Sequence, residues 1–525
     1  MRKILLSLAS FVALCALAGC GTSNSTSTIA VPSNPSGGNH AGFSNASLAA
    51  GKSYVFSVSG STTSNNFAVV GTFVSDGSGN ITAGTRDTVN DGGGQALDES
   101  ITGTYSVNTD GRGQLVINGS AAGQVIYRFV LHPATTQRPS LVGELFQDGT
   151  TASNVVVDAV GTIQEVSGTP AAPSGPYIVR LDGEDPTNNP YGAVGGLTIT
   201  GTSIAGLLDE NDNGTYAQEI QPLTATGSIS LTSSRGSATL ATPNGINTAT
   251  HNFIVYYVSP SQLALVSTDK TFFLYGNAAQ QTSFAPTNGL FVGDQVFSLS
   301  GADNSGPHSG TAPRAEVGRM TLNGDGTLSN AIEDYIDYAN IYPGGSLTLN
   351  SSYAASVEGR WTANLINATA ASSTDLVGWQ VSFGPLPQEQ KSYILTTNST
   401  VLETGLMLGQ TLNVADASVS GNYAESLSGY SVSGQDYVEL TGNLNANGGG
   451  SFTSGTYDAQ TDNSGLSLDT GTTGSYDTGS ASFGRSTNAN LESVPVAMYT
   501  VDADTILFVG GQQGYIYQGA LVTQQ

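Results

Sequence analysis

From Ser53 onward the chain alternates apolar and polar residues with a period of two, the pattern of strands buried on one face. In Val125-Ile126-Tyr127-Arg128-Phe129-Val130-Leu131, the residues Val125, Tyr127, Phe129 and Leu131 share a face while Arg128 turns away. Helical spacing is nearly absent past the first twenty residues. Between the alternating runs stand clusters such as Asp76-Gly77-Ser78-Gly79, Asp110-Gly111-Arg112-Gly113 and Asn323-Gly324-Asp325-Gly326. Gly and Asn accept the positive φ that tight reversals demand, so these clusters predict hairpin turns. Hairpin follows hairpin, and the pattern predicts an all-β chain.

The pattern also repeats. Four short strands end in glycine: Ser53 to Gly60, Pro176 to Gly183, Gln295 to Gly301 and Gly421 to Gly429. Each is followed by a glycine, a strand, a polar turn, a second strand and an acid. The acid falls sixteen residues after the glycine in Gly71 to Asp87, Gly318 to Asp334 and Gly442 to Asp458, and unit two shortens the turn, Gly196 to Asp209. A Gly-x-aromatic or Gly-x-apolar step then recurs at Gly103-Thr104-Tyr105, Gly227-Ser228-Ile229, Gly359-Arg360-Trp361 and Gly474-Ser475-Tyr476. Units two to four close on a glycine with a glutamine five later, Gly276 to Gln281, Gly405 to Gln410 and Gly519 to Gln524; unit one approximates this with Gly161 and Gln164.

These offsets predict four tandem domains, 48–168, 174–281, 283–412 and 417–525, each too long for a solenoid repeat and each with its own core. About eight strands in sequence order suit an antiparallel meander closed into a small barrel, which removes exposed edges. The barrel is favoured over a two-sheet sandwich with the same strand count, and a propeller-like ring is a third solution.

Composition narrows the setting. The net charge is −25 and only 10% of residues are charged, so the polar surface is made of Ser, Thr, Asn, Gln and Gly. Such an acidic chain repels polyphosphate, and nucleic acid is not an expected partner. The two cysteines are Cys15 and Cys20.

At the start, Arg2-Lys3 precede an apolar stretch, Ile4 to Leu17, that ends in Leu17-Ala18-Gly19-Cys20. A basic pair, a short apolar core and small residues make an export signal, too short to span a bilayer. Leu-Ala-Gly-Cys resembles the lipobox of bacterial lipoproteins, and the chain as a whole is similar to large repeat-bearing lipoproteins of environmental bacteria. The resemblance implies that residues 1–19 are removed, that Cys20 carries the lipid (diacylglycerol, with palmitate-type acyl chains), and that the protein sits in the cell envelope. Gly21 after the cysteine resembles outer-membrane sorting. Cleavage leaves 13 basic against 40 acidic residues, a net −27. No disulfide is then available within the mature chain. Residues 20–47, rich in Ser, Thr, Asn, Gly and Pro, read as a disordered tether.

Candidate chemistry is sparse. In Asp209-Glu210-Asn211-Asp212-Asn213-Gly214, the oxygens of Asp209, Asn211 and Asn213 followed by glycine match the opening of an EF-hand calcium loop. Position twelve is Ile220 and Glu219 falls one place early, so a polar hairpin tip is the plainer reading. Asp87, Asp91, Asp334 and Asp458 recur near strand ends, where turn duty accounts for them. No two histidines are spaced as zinc ligands, and no strict Gly-x-Ser-x-Gly elbow occurs. Glu333-Asp334 and Glu99 are ordinary carboxylates with nothing to mark a glycosidase pair. Unit three spends 25 residues from Asp334 to Gly359 where units one and four spend 16, and the surplus carries Tyr335, Tyr338 and Tyr342, candidate ligand-binding residues for a glycan or protein partner. Both tryptophans, Trp361 and Trp379, are in this unit. The expectation is a lipid-anchored, non-enzymatic envelope protein acting as a structural or adhesive binding module, several weak copies adding avidity. The alternatives are an apolar-ligand carrier and an extracellular carbohydrate-active hydrolase. No cofactor is expected beyond the calcium candidate.

Overall fold

The computed structural model describes residues 42–524, apart from 63–64, 121–122, 135–139, 149–156, 217–221, 232, 244, 246–249, 271, 305–311, 338–339, 347–350, 368–371, 385–388, 412–414, 432–435, 462–464, 478–483, 492–493 and 512–514. The signal, Cys20 and most of the tether lie outside the described residues. The rest is strand, turn and a few short 3-10 turns, in four antiparallel meanders running Ser53–Glu165, Gly175–Gln280, Val292–Gly409 and Ser420–Thr523.

Units one and four are closed eight-stranded barrels. Unit two closes through the pairing of Pro190–Thr200 with Ser203–Asp212, and a short strand, Thr215–Tyr216, extends its sheet. In unit three the two ends of the sheet meet at the bridge Thr327↔Ser352. Each interior is filled with side chains, such as Tyr54, Phe56, Phe73 and Tyr127 in unit one and Phe291, Phe297, Trp361 and Met407 in unit three. Barrels of this strand number are just wide enough for side chains to fill, and the interiors of units one and three are occupied in this way.

The repeated glycines mark where each barrel closes. In the last strand, Gly161, Gly276, Gly405 and Gly519 pair with the first strand at Val58, Leu181, Leu299 and Leu427. A Cβ at any of the first three would lie 1.9 to 2.0 Å from the carbonyl oxygen of Ser57, Arg180 or Ser298, and at Gly519 2.2 Å from that of Ser426. Only glycine lets the two strands approach this closely.

Two readings of the sequence shift. The end of the predicted tether is docked: Phe43, its one aromatic residue, is buried in the core of unit one, and Asn45 Oδ1 accepts from the Val107 N–H at 2.8 Å. The surplus of unit three largely disappears. Tyr105, Tyr353 and Tyr476 all donate their backbone N–H to a turn glycine, Gly79, Gly326 and Gly450. Tyr353 is therefore the counterpart of Tyr105, lying 19 residues after Asp334 where its siblings lie 18 after Asp87 and Asp458. Gly359-Arg360-Trp361 instead opens the next strand, Arg360–Asn367. The missing glycine before Tyr353 hid the match.

Candidate functional site

The repeated acids join the barrels to one another. Asp87 of unit one accepts from Nε and Nη2 of Arg235 in unit two, both at 2.7 Å, and from the Tyr256 hydroxyl at 2.5 Å. Asp209 of unit two accepts from Arg360 of unit three at 3.0 and 2.8 Å, from Trp379 Nε1 at 2.7 Å and from the Tyr216 hydroxyl at 2.7 Å. Asp334 of unit three accepts from Arg485 of unit four at 2.7 and 2.6 Å and from the Tyr499 hydroxyl. Asp458 of unit four accepts from Nη1 of Arg112 in unit one at 2.8 Å. Four donor units and four acceptor units thus close a ring, since a head-to-tail contact whose rotation closes must do so.

The arginines are equivalent: Arg112 and Arg485 open the fifth strand of units one and four, and Arg235 and Arg360 the sixth of units two and three, which each carry one extra strand before it. Their partners across that hairpin are Val130, Tyr256, Trp379 and Tyr499. Three of these partners donate to the acid; Val130 cannot, and Arg112 is held by Asp110 and Asp469 as well, at 2.7 and 2.9 Å. All four carboxylates are buried. Burial, then the neighbouring Asp87 and Asp334 carboxylates, pushes the Tyr256 and Tyr499 hydroxyls far above their ordinary range. A planar guanidinium meeting a carboxylate with two parallel hydrogen bonds fixes orientation as well as distance.

The closing glutamines act beside them. Gln281 Nε2 donates to the Gln380 carbonyl of unit three at 2.8 Å, Gln410 Nε2 to the Thr500 carbonyl of unit four at 2.7 Å, and Gln524 Nε2 to the Asp110 and Leu131 carbonyls of unit one at 2.9 and 2.8 Å. In unit one the matching residue is Val166, which packs on the core of unit two. Gln164 stays at home, its Nε2 donating to Ser140 Oγ at 3.3 Å. Apolar clusters reinforce three seams: Val55 and Val70 with Tyr256 and Val266, Ile178 and Val194 with Trp379 and Leu395, and Val317 and Ile336 with Tyr499 and Val509.

The sequence candidates find their places here. Asp209 has both oxygens taken by Arg360, Trp379 and Tyr216. Asn211 spends its amide on the Thr396 and Val401 carbonyls of unit three at 2.7 and 3.1 Å, and Asn213 accepts from Asn304. Among the described residues no group of three or more His, Cys, Asp or Glu is placed to hold a metal. Tyr335 is buried, its ring 4.5 Å beneath the Arg314 guanidinium, and faces Tyr342 across a hairpin. Nothing is described of the Tyr342 side chain, and Tyr338 lies outside the described residues. Trp361 and Trp379 are buried, one in a barrel and one in a seam. Glu99 accepts from Arg86 at 2.6 Å inside unit one. Turn duty describes Asp91 alone of the four turn candidates: its Oδ2 caps the Asn66 N–H at 2.9 Å, beside a hairpin. Sequence reasoning missed the arginines, although they recur at intervals of 123, 125 and 125 residues.

On the axis of the ring lies a cavity of about 430 Å³ lined by all four units. The strand-ending glycines Gly60, Gly183, Gly301 and Gly429 all border it. The next residue of each unit and its cross-strand partner also line it, and there the repeat breaks. Unit one presents Ser61 and Asn66, unit two Glu184 and Pro190, unit three Ala302 and Pro313, and unit four Tyr430 and Tyr437. The two tyrosines meet edge to face, 4.9 Å between centroids, and Tyr437 is 38% exposed. Burial, and then the Asp91 carboxyl, push Glu184 up to about 7, against a hydrogen bond from the Asn66 amide.

No family model matches the sequence, and the search of curated proteins returns no match. Among solved structures the chain is similar to a double mutant of the vaccine antigen transferrin binding protein B from Haemophilus parasuis, 11% identical with a TM-score of 0.17, over 75% of this chain and 85% of that one. It is similar also to intact Ap-TbpB, with its N and C lobes, 11% identical with a TM-score of 0.18, over 75% and 85%. At such TM-scores the likeness carries nothing about ligands or the arrangement of the units.

Proposed function

We propose that this chain is a lipid-anchored protein of the bacterial cell envelope, carried in the outer membrane by acyl chains on Cys20, and that it works as a binding module with one site on the ring axis. The observation that carries the reading is a cavity to which all four units contribute and at which their otherwise repeated sequences differ. Its volume of about 430 Å³ falls in the usual range for small-ligand sites. Residues that build the ring are alike from unit to unit, as a scaffold requires; residues on the axis are not, as recognition of an asymmetric ligand requires. Units fixed to one another in a ring cannot each seek a separate partner, which favours one shared site over several weak copies.

The test has two parts. Metabolic palmitate labelling should mark the full chain and not Cys20→Ser, which should leave the membrane fraction. Ligand-observed NMR screening of a small-molecule library should find binders whose signal is lost when Ser61→Trp, at a half-buried position on the wall, fills the cavity of a protein that still unfolds cooperatively. Unmarked protein, or binders indifferent to Ser61→Trp, would overturn the corresponding half of the reading.

A further inference from the structure

The walls of the axial cavity differ in kind. Units two and four are diagonal in the ring order, so the Tyr430 and Tyr437 pair stands across the axis from Glu184. Tyr437 and Glu439 are two residues apart on one strand and share its outward face, so unit four supplies an aromatic surface with a carboxylate beside it. Asp158 of unit one adds a further acid.

Among the described residues, the one cationic side chain on the wall is already committed. Arg314 donates to Glu316 at 3.0 Å and to Glu403 at 3.1 Å, and lies over the ring of Tyr335. It offers no charge to an incoming anion. What remains is acidic: Asp158, Glu184 and Glu439, on a protein of net charge −25. The negative faces of aromatic rings attract cations, most strongly where water is partly excluded, and nearby carboxylates add to that attraction. An anion meets repulsion from Asp158 and Glu439, whereas a cation gains from the rings and the carboxylates together.

We propose that the axial cavity is a receptor for a small organic ammonium ion, its apolar body and charge seated on Tyr430 and Tyr437 and its charge met by Glu439 and Glu184. This rests on the reading of the cavity as a binding site and names the chemistry of its ligand.

The test uses the full chain in detergent and four probes followed by ligand-observed NMR titration: choline, its neutral isostere 3,3-dimethylbutan-1-ol, maltose and N-acetylglucosamine. Choline should bind at least about tenfold more tightly than the isostere, a comparison that needs no variant. Tyr430→Ala should weaken choline by about tenfold, and Glu184→Gln should weaken choline and leave the isostere unmoved. Equal binding of choline and isostere overturns the ammonium assignment. So does binding of a sugar alone, lost in Tyr430→Ala, although the cavity would then stand as a binding site. Failure of all four probes overturns the ligand class and removes the support it lends the site.

Discussion

An aspartate such as Asp334 is understood only through its partners. Its carboxylate is buried, and the Arg485 and Tyr499 donors that face it are nearly so. Removing one member leaves the others desolvated and unanswered, which in buried pairs costs about 3–5 kcal/mol. Asp334→Ala should therefore lower the denaturation midpoint sharply, whereas Asp334→Leu with Arg485→Met should lose much less, because no charge is left stranded. Equal losses would mean that the pair is not desolvated as described. A second residue stands out by contrast with its siblings. Glu425 occupies the first-strand position that faces Gly442, where unit one has Phe56 facing Gly71 and unit three has Phe297 facing Gly318. It lies on the same inward face as Tyr423 and Leu427, and burial pushes its carboxyl up to about 8 from 4.5. A raised carboxyl means that the folded state holds its proton more tightly, so the stability it allows is full below about pH 4.5 and is lost as pH rises through 8. Glu403 is shifted the same way, to about 8. Glu425→Leu should stabilise the protein by roughly 1–3 kcal/mol at pH 9 and have little effect at pH 4.5, as read from melting curves at the two pH values.

At the scale of the strand, glycine spacing was the most legible signal because its cause is local and absolute. Gly405 pairs with Leu299 where the barrel closes, and a Cβ there would sit 1.9 Å from the Ser298 oxygen. Gly405→Ala should thus lower the melting temperature by several degrees, while Gly471→Ala, with nothing within 4 Å of the added carbon, should be far milder. Similar effects at the two sites would contradict the seam. Strand number, hairpin order and barrel closure followed from alternation and turn residues for the same reason. The role of the acids did not, because Asp87 finds Arg235 at a separation of 148 residues and nothing near Asp87 in sequence hints at it. An acid beside a glycine-rich turn reads as turn chemistry until its distant partner is known. Unit three reads as longer than its siblings around Tyr335, Tyr338 and Tyr342 because its counterpart to Tyr105, Tyr353, lacks the preceding glycine. The residues on the axis carried no signal of their own: Tyr430 and Glu184 become notable only once the ring brings their hairpins together.

For the whole molecule, the decisive seam is the one without a covalent link. Units one to two, two to three and three to four are joined by chain and by apolar clusters, while units four and one meet through Asp458, Asp469, Asn443 and Gln524 against Arg112 and Asp110. Gln524 does at this seam what Gln281 and Gln410 do at theirs, its amide donating to the Asp110 and Leu131 carbonyls of unit one. Four barrels so joined form one compact body, with an expected radius of gyration near 23 Å for the folded residues, far below that of four domains strung on linkers. The closing contact can be read directly by a double-mutant cycle on Arg112 and Asp458, which are 346 residues apart in sequence. With Arg112→Met, Asp458→Leu and the double variant unfolded in denaturant, a closed ring predicts a coupling of roughly 1–3 kcal/mol, and additive losses with no coupling would show that the ring is open.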